Sequence, residues 1–141
     1  MRFRRKVQSG EKLGRKLGFP TLNFRVGSFG DHYEPGVYVC TVNLKRRAVS
    51  GERRANHTKK LHAPRSTLSA HAGALYFGPK GTGKSVLEIH VLNFSEQIYG
   101  QFVSFEVGEK IRGPKKFESL EALKEGIGRD VGMIRGLITK K

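Results

Sequence analysis

Five short segments dominate the pattern of this chain, and none of them is separated from the next by a helical run. Gly36-Val37-Tyr38-Val39-Cys40-Thr41-Val42 is β-branched and aromatic, with Pro35-Gly36 as a turn signal in front of it. Ala74-Leu75-Tyr76-Phe77 is a short apolar run. In Val86-Leu87-Glu88-Ile89-His90-Val91-Leu92, residues Leu87, Ile89 and Val91 share one face, and Glu88, His90 and Leu92 share the other. Gln101-Phe102-Val103-Ser104-Phe105-Glu106-Val107 alternates in the same way, and Thr21-Leu22-Asn23-Phe24 is a fifth candidate. Strands that follow one another without interleaved helices predict an antiparallel barrel or sandwich. A single helix follows them. Leu120, Leu123, Ile127, Val131, Ile134 and Ile138 recur at steps of three and four, with Ser119 as N-cap and Glu121 in the first turn. Gly126, Gly128, Gly132 and Gly136 each cost roughly 0.8–1 kcal/mol relative to Ala inside a helix, so packing on the sheet must hold it.

At 141 residues the chain predicts one domain over 1–141. No stretch approaches the ~18 apolar residues of a spanning helix, which excludes a helical membrane protein. Cys40 is the one cysteine, so an internal disulfide and a Cys-type zinc cluster are excluded, and its place in a β-branched run predicts an inert buried thiol. Met-Arg-Phe-Arg-Arg-Lys has the basic start of a signal peptide with no apolar run behind it, and a cytoplasmic protein is expected. The formal charge is +15, concentrated in two places. Residues 1–16 carry seven Lys/Arg and one Glu, and residues 45–72 carry eight and one. The second segment has no aromatic residue and no periodicity, and reads as a long mobile basic insertion. Such a loop suits phosphates of RNA or DNA, but without interleaved aromatics a solvated insertion is the favoured reading.

Gly78-Pro79-Lys80-Gly81-Thr82-Gly83-Lys84-Ser85 satisfies the phosphate-binding pattern G-x-x-x-x-G-K-[ST]. That loop must open a helix, whose free amides face the phosphates. The residues that follow have period two, so a Gly-rich hairpin connection is expected instead.

The stretch Gly10-Glu11-Lys12-Leu13-Gly14-Arg15-Lys16-Leu17-Gly18-Phe19-Pro20-Thr21-Leu22-Asn23 is the most informative. Its glycines allow close backbone approach to a ligand, beside the positive charges of Lys12, Arg15 and Lys16. In a strand Thr21 and Asn23 face the same side, offering hard oxygens of the kind Mg²⁺ accepts alongside phosphate oxygens. An ordinary turn entering a strand would account for the same composition.

Gly14 to Asn23 resembles the G-R-x-L-G-F-P-T-x-N signature of the riboflavin kinase (flavokinase) family. Pro35-Gly36-Val37-Tyr38 resembles its PGVY strand, and Leu87 to Phe94 with Ile98-Tyr99-Gly100 its LExHLLDF…LYG block. Ile111-Arg112 with Lys116 to Leu120 resembles its LRxExKFxSL block, and Leu123 to Asp130 its terminal helix. The resemblance implies a small closed antiparallel six-stranded β-barrel with a C-terminal helix. It implies transfer of the ATP γ-phosphate to the ribityl 5′-hydroxyl of riboflavin, giving FMN, with Mg²⁺ or, as an alternative, Zn²⁺. By position, Thr21 and Asn23 would bind metal and nucleotide phosphate, and Gly14, Lys16 and Gly18 would close over ATP. Glu88 would be the catalytic base, and Arg112 with Phe117 would cover the flavin. His90, on the face of Glu88, reads as a hydrogen-bonded structural histidine. Lys12-Leu13 departs from the family pattern, and Leu75 to Gly83 lacks the Asn and Phe of its ANIGxxPTF stretch, where nucleotide contacts are expected. A monomer acting on riboflavin and ATP, without an adenylyltransferase domain and so stopping at FMN, is expected. The alternative from another class is a non-catalytic basic barrel that binds RNA or flavin.

Overall fold

The computed structural model describes residues 1–8, 18–45, 68–80, 84–94, 98–115 and 117–139. Six strands run β1 (Arg2–Lys6), β2 (Leu22–Phe24), β3 (Gly36–Lys45), β4 (Leu68–Lys80), β5 (Lys84–Val91) and β6 (Phe102–Arg112), and helix α1 (Leu120–Thr139) ends the fold. They form one antiparallel sheet in the order β1-β6-β3-β4-β5-β2. The sheet curls into a half-barrel. Its two edges meet at an isolated antiparallel bridge, where the amide of Gln8, two residues beyond β1, donates to the carbonyl of Asn23 in β2 at 2.7 Å. The six-stranded antiparallel architecture with a C-terminal helix is as the sequence resemblance implies, but the sheet is a half-barrel rather than a fully closed barrel, its edges joined among the described residues by that bridge.

Alternation decides what lies inside. Phe3, Leu22, Phe24, Leu75, Phe77, Leu87, Ile89, Val103 and Phe105 project into the curl and are all buried. A 3-10 turn at Gly27–Asp31, not foreseen from the sequence, brings in Phe29, which is fully buried. Its ring lies 5.1 Å from Phe3, 5.1 Å from Phe77 and 4.7 Å from Tyr33, while Phe105 stacks on Phe3 at 5.5 Å. Such pairs add about 0.5–1.5 kcal/mol each beyond the area they bury.

A second, smaller core lies under the helix on the opposite face. Val131 and Ile134 of α1 pack with Leu92, Val39, Ala72, Ala74 and Ile111. The small Ala72 and Ala74 of β4 make room for the helix axis to approach. Ser119 caps α1 as expected, its Oγ accepting from the Ala122 amide at 3.1 Å.

Several sequence expectations need correction. β1 was hidden by its charges: Phe3 alone alternates with Arg and Lys, yet the strand pairs with β6 over its whole length. The last five residues of the span 45–72, Leu68 to Ala72, belong to β4 and pair with β3. Ser-Ala-His-Ala has little strand propensity, and register against β3 overrides it. Residues 46–67 lie outside the described residues. Leu120, first in the predicted apolar stripe and first residue of α1, is exposed. Lys80 pairs directly with Lys84, so the sequence that mimics a phosphate loop is indeed a hairpin connection.

Candidate active site

Because Leu22/Phe24, Leu75/Phe77 and Leu87/Ile89 point inward, the residues between them point outward. Asn23 on β2 stands opposite Glu88 on β5, Glu88 opposite Tyr76 on β4, Tyr76 opposite Val37 on β3, and Val37 opposite Arg112 on β6. The register thus lays Asn23, Glu88, Tyr76 and Arg112 in one row across the outer face, beside the helix. Directly opposed residues have Cβ atoms about 5 Å apart, so Asn23 and Glu88 are immediate neighbours. Three strand steps separate Glu88 from Arg112, roughly 14 Å along the sheet.

Glu88 is buried, only 8% exposed, on a strand whose neighbours are core residues. Tyr76 is half-buried, and its hydroxyl donates to the Pro79 carbonyl at 2.5 Å. Burial raises the Tyr76 pKa, the negative charge of Glu88 raises it further, and the Arg112 guanidinium pulls it back. One phenol therefore senses both ends of the row.

At the far end the Arg112 guanidinium grips Asp130 of α1 with two parallel bonds, Nε to Oδ1 at 2.9 Å and Nη2 to Oδ2 at 2.8 Å. Its third donor, Nη1, reaches the Gly113 carbonyl at 3.0 Å. Asp130 is 6% exposed, so this fork is one of the stronger polar contacts of the fold. The β3–β6 ladder shifts register between Val37 and Tyr38, next to the Val37–Arg112 pair. Phe117 completes the group, its ring centroid 5.7 Å from the Arg112 guanidinium carbon. A Cβ on Gly126 would collide with that ring, which explains a glycine whose helical cost looked gratuitous in the sequence.

Near the other end, His90 holds the chain that leads into β2. Its Nδ1–H donates to the Pro20 carbonyl at 2.8 Å, which leaves Nε2 as the unprotonated nitrogen of the neutral ring. Phe19 meets the ring edge-on at 5.4 Å. Burial lowers the His90 pKa, the Pro20 bond partly offsets this, and Arg135 of α1 lowers it slightly more. The hydrogen bond expected of His90 is present, and its acceptor is the residue directly before Thr21. Cys40 is buried, its thiol pushed up to about 12 by desolvation, in keeping with an inert residue.

Of the residues singled out in the sequence, Asn23, Glu88 and Arg112 lie in this outer row, with Asn23 opposite Glu88 and Phe117 against Arg112, while Thr21 directly precedes β2 and is half-buried. Gly18 is exposed, at φ +92°, a backbone state that favours glycine. Gly14 and Lys16 lie outside the described residues, as do Lys12 and Arg15. Tyr76 and Asp130 were not anticipated as site residues. Asp130 was legible: it falls three residues after Ile127 and four before Ile134, an acid on the buried stripe of a helix. Tyr76 gave no signal, since a tyrosine in an apolar run looks like core. Among the described residues, no group of three His, Cys, Asp or Glu side chains is arranged to hold a metal. No described helix is long and apolar enough to cross a membrane.

A profile of the Flavokinase family, riboflavin kinase, matches residues 1–138. The bifunctional riboflavin kinase/FMN adenylyltransferase of Haemophilus influenzae is 33% identical over 134 residues, which span 89% of this chain and 35% of that protein. The bifunctional enzyme of Pseudomonas fluorescens is 30% identical, over 94% of this chain and 36% of its own length. The RNA-binding riboflavin kinase RibR of Bacillus subtilis is 31% identical, over 91% and 47%. The chain thus spans about a third of the length of the bifunctional relatives it matches. The crystal structure of riboflavin kinase from Trypanosoma brucei superposes with a TM-score of 0.61 at 26% identity, covering 99% of this chain and 80% of that one. A Streptococcus pneumoniae structure described as a macrolide-efflux protein shares the fold, with a TM-score of 0.66 at 24% identity over 95% of this chain and 38% of that one.

Proposed function

The chain belongs to the riboflavin kinase family, and from that premise we propose that it transfers the γ-phosphoryl group of ATP to the 5′-hydroxyl of riboflavin, giving FMN and ADP. The observation that carries this reading is the buried carboxylate of Glu88 set directly opposite Asn23. Glu88 sets a carboxylate on a core strand beside the Asn23 amide, where an alcohol substrate needs a proton acceptor.

Glu88 is the general base. As the ribityl 5′-oxygen forms its bond to the γ-phosphorus, the bond from that phosphorus to the ADP oxygen breaks, and the hydroxyl proton passes to the carboxylate. A base within hydrogen-bond reach supplies about 10²–10⁴ in rate. Most of the remaining catalysis is positioning and charge neutralisation over the phosphoryl oxygens. Thr21 and Asn23 offer a hydroxyl and an amide oxygen on one face, a donor set that fits a hard divalent cation completing its shell with phosphate oxygens and water. Mg²⁺, or Zn²⁺ in its place, would neutralise phosphate charge there when bound. His90 fixes the Pro20 carbonyl and with it the approach of Thr21. Gly14, Lys16 and Gly18 belong to the segment assigned to close over the nucleotide.

Arg112 and Phe117 form the flavin end, with the guanidinium locked by Asp130 and the ring seated on Gly126. A ribityl chain carrying a tricyclic ring suits the distance from Glu88 to this clamp, with the Tyr76 phenol between. One kinase domain over 1–141, acting as a monomer, belongs to this reading. An unpaired thiol and an ATP co-substrate suit the cytoplasm.

The test is FMN formation from riboflavin, ATP and Mg²⁺, followed by chromatography. FMN from the wild-type chain is expected. Folded protein that makes none, with CTP, GTP and Zn²⁺ also tried, overturns the assignment.

A further inference from the structure

The outward side of β1 carries charge that the kinase reading does not use. Arg5 is turned to structural work: its guanidinium donates to the Arg25 carbonyl at 2.9 Å and lies over the Phe3 ring at 5.2 Å. Arg2, Arg4 and Lys6 instead alternate outward and are all exposed. The register sets Arg2 against Glu106, Arg4 against Ser104 and Lys6 against Phe102 on β6, with Thr41 and Asn43 of β3 behind Glu106 and Ser104. Phe102 is 55% exposed, and the Arg4 guanidinium lies over its ring at 4.6 Å.

Charges on an edge strand also discourage pairing with other sheets. That purpose does not explain a half-exposed phenyl ring at the end of the strip, opposite Lys6 and under the Arg4 guanidinium. Alternate residues on a strand are about 6.6–6.8 Å apart, so the three cations form a straight rail commensurate with a stretched phosphate backbone. The ring beside the rail offers a π-face, and the Thr41, Asn43 and Ser104 side chains offer hydrogen bonds to sugar hydroxyls. Glu106 is engaged by Arg2 at 3.6 Å, which blunts its repulsion of an anion.

We propose that the outer face of β1 and β6 is a docking surface for single-stranded RNA, with Arg2, Arg4 and Lys6 on its phosphates and Phe102 stacked on a base. The surface is separate from the Glu88 row, and the proposal holds whether or not the chain phosphorylates riboflavin.

The test is fluorescence anisotropy of a labelled twelve-residue oligouridylate with the full chain, across a salt series. Each phosphate contact contributes about 0.7 to the slope of log K against log salt for a single strand. The triple variant Arg2→Gln, Arg4→Gln, Lys6→Gln is therefore expected to flatten that slope by about 2. Phe102→Ala is expected to weaken binding about 5- to 100-fold while leaving the slope alone. Both variants change only exposed side chains, and unchanged melting confirms their fold. Three results overturn the proposal: platform variants that bind as the wild type does while neutralising Lys and Arg of 46–67 abolishes binding, equal or tighter binding of the matching oligodeoxyuridylate, and loss confined to anionic phosphatidylserine vesicles.

Discussion

The same strands present two different materials to their two sides. Inward, Phe3, Phe24, Phe29, Phe77 and Phe105 pack ring against ring, with no carboxylate in the cluster. Outward, residues one position away make a row of an amide, a carboxylate, a phenol and a guanidinium, half roofed by a helix. Because a strand's period is two, these sets are interleaved in sequence yet separated by the thickness of the sheet. The inner side can hold the barrel without touching the chemistry, and the outer side can carry buried charge without breaking the core. Stability and catalysis should therefore respond to different substitutions.

The largest effect expected is on the inner side. Phe105→Ala removes a fully buried ring that contacts Phe3 and Phe24, and should cost about 3–5 kcal/mol in denaturant unfolding. The kcat of the fraction that remains folded should stay near the wild-type value. A large fall in kcat at constant folded fraction would break the separation of the two sides. Glu88→Gln is the reciprocal test. It should lower kcat at least about 100-fold, close to 2.7 kcal/mol, with a melting temperature near that of the wild type. Equal activity in the two proteins would remove Glu88 from the reaction and keep the fold.

Asp130→Asn probes the seam between helix and sheet, where the two materials meet. Loss of the charge-assisted fork to Arg112 should cost about 1.5–3 kcal/mol, read as a rise in the KM for riboflavin with a smaller change in kcat. A change in kcat alone would mean that the clamp serves the transition state rather than flavin binding. The smallest effect concerns His90. Burial depresses its pKa in the folded chain, so as pH falls below its ordinary value the unfolded chain takes up a proton that the folded chain resists. Stability should fall with acidity from about pH 6.5 downward through the folded pKa, and the fall should be shallower in His90→Asn, measured as melting temperature against pH.

The outer row was legible in part. Glu88 showed itself as the acid of an apolar run, and Asn23 by its spacing from Thr21. That they face one another depends on the register of two strands more than sixty residues apart, which no local pattern encodes. Arg112 and Phe117 were suggested by resemblance alone, and their partners Asp130 and Gly126 sat on the helical stripe as an acid and a gap. The strands with β-branched alternation were evident. β1 was concealed because its outward residues are all basic, and the start of β4 because Ala and Ser carry no strand signal against the pairing that β3 imposes.

The bridge between Gln8 and Asn23 ties these threads together. The Asn23 carbonyl closes the ring of strands while its side chain lies on the side where phosphate and metal are assigned. A ligand that draws on Asn23 and the closure of the sheet are then coupled through one residue, and such coupling runs both ways. A ligand held by Asn23 would steady the Gln8–Asn23 join, and a change that loosens the join would weaken such a ligand by the same free energy. That join is already made at 2.7 Å, and the residue assigned to hold the ligand is the one that makes it.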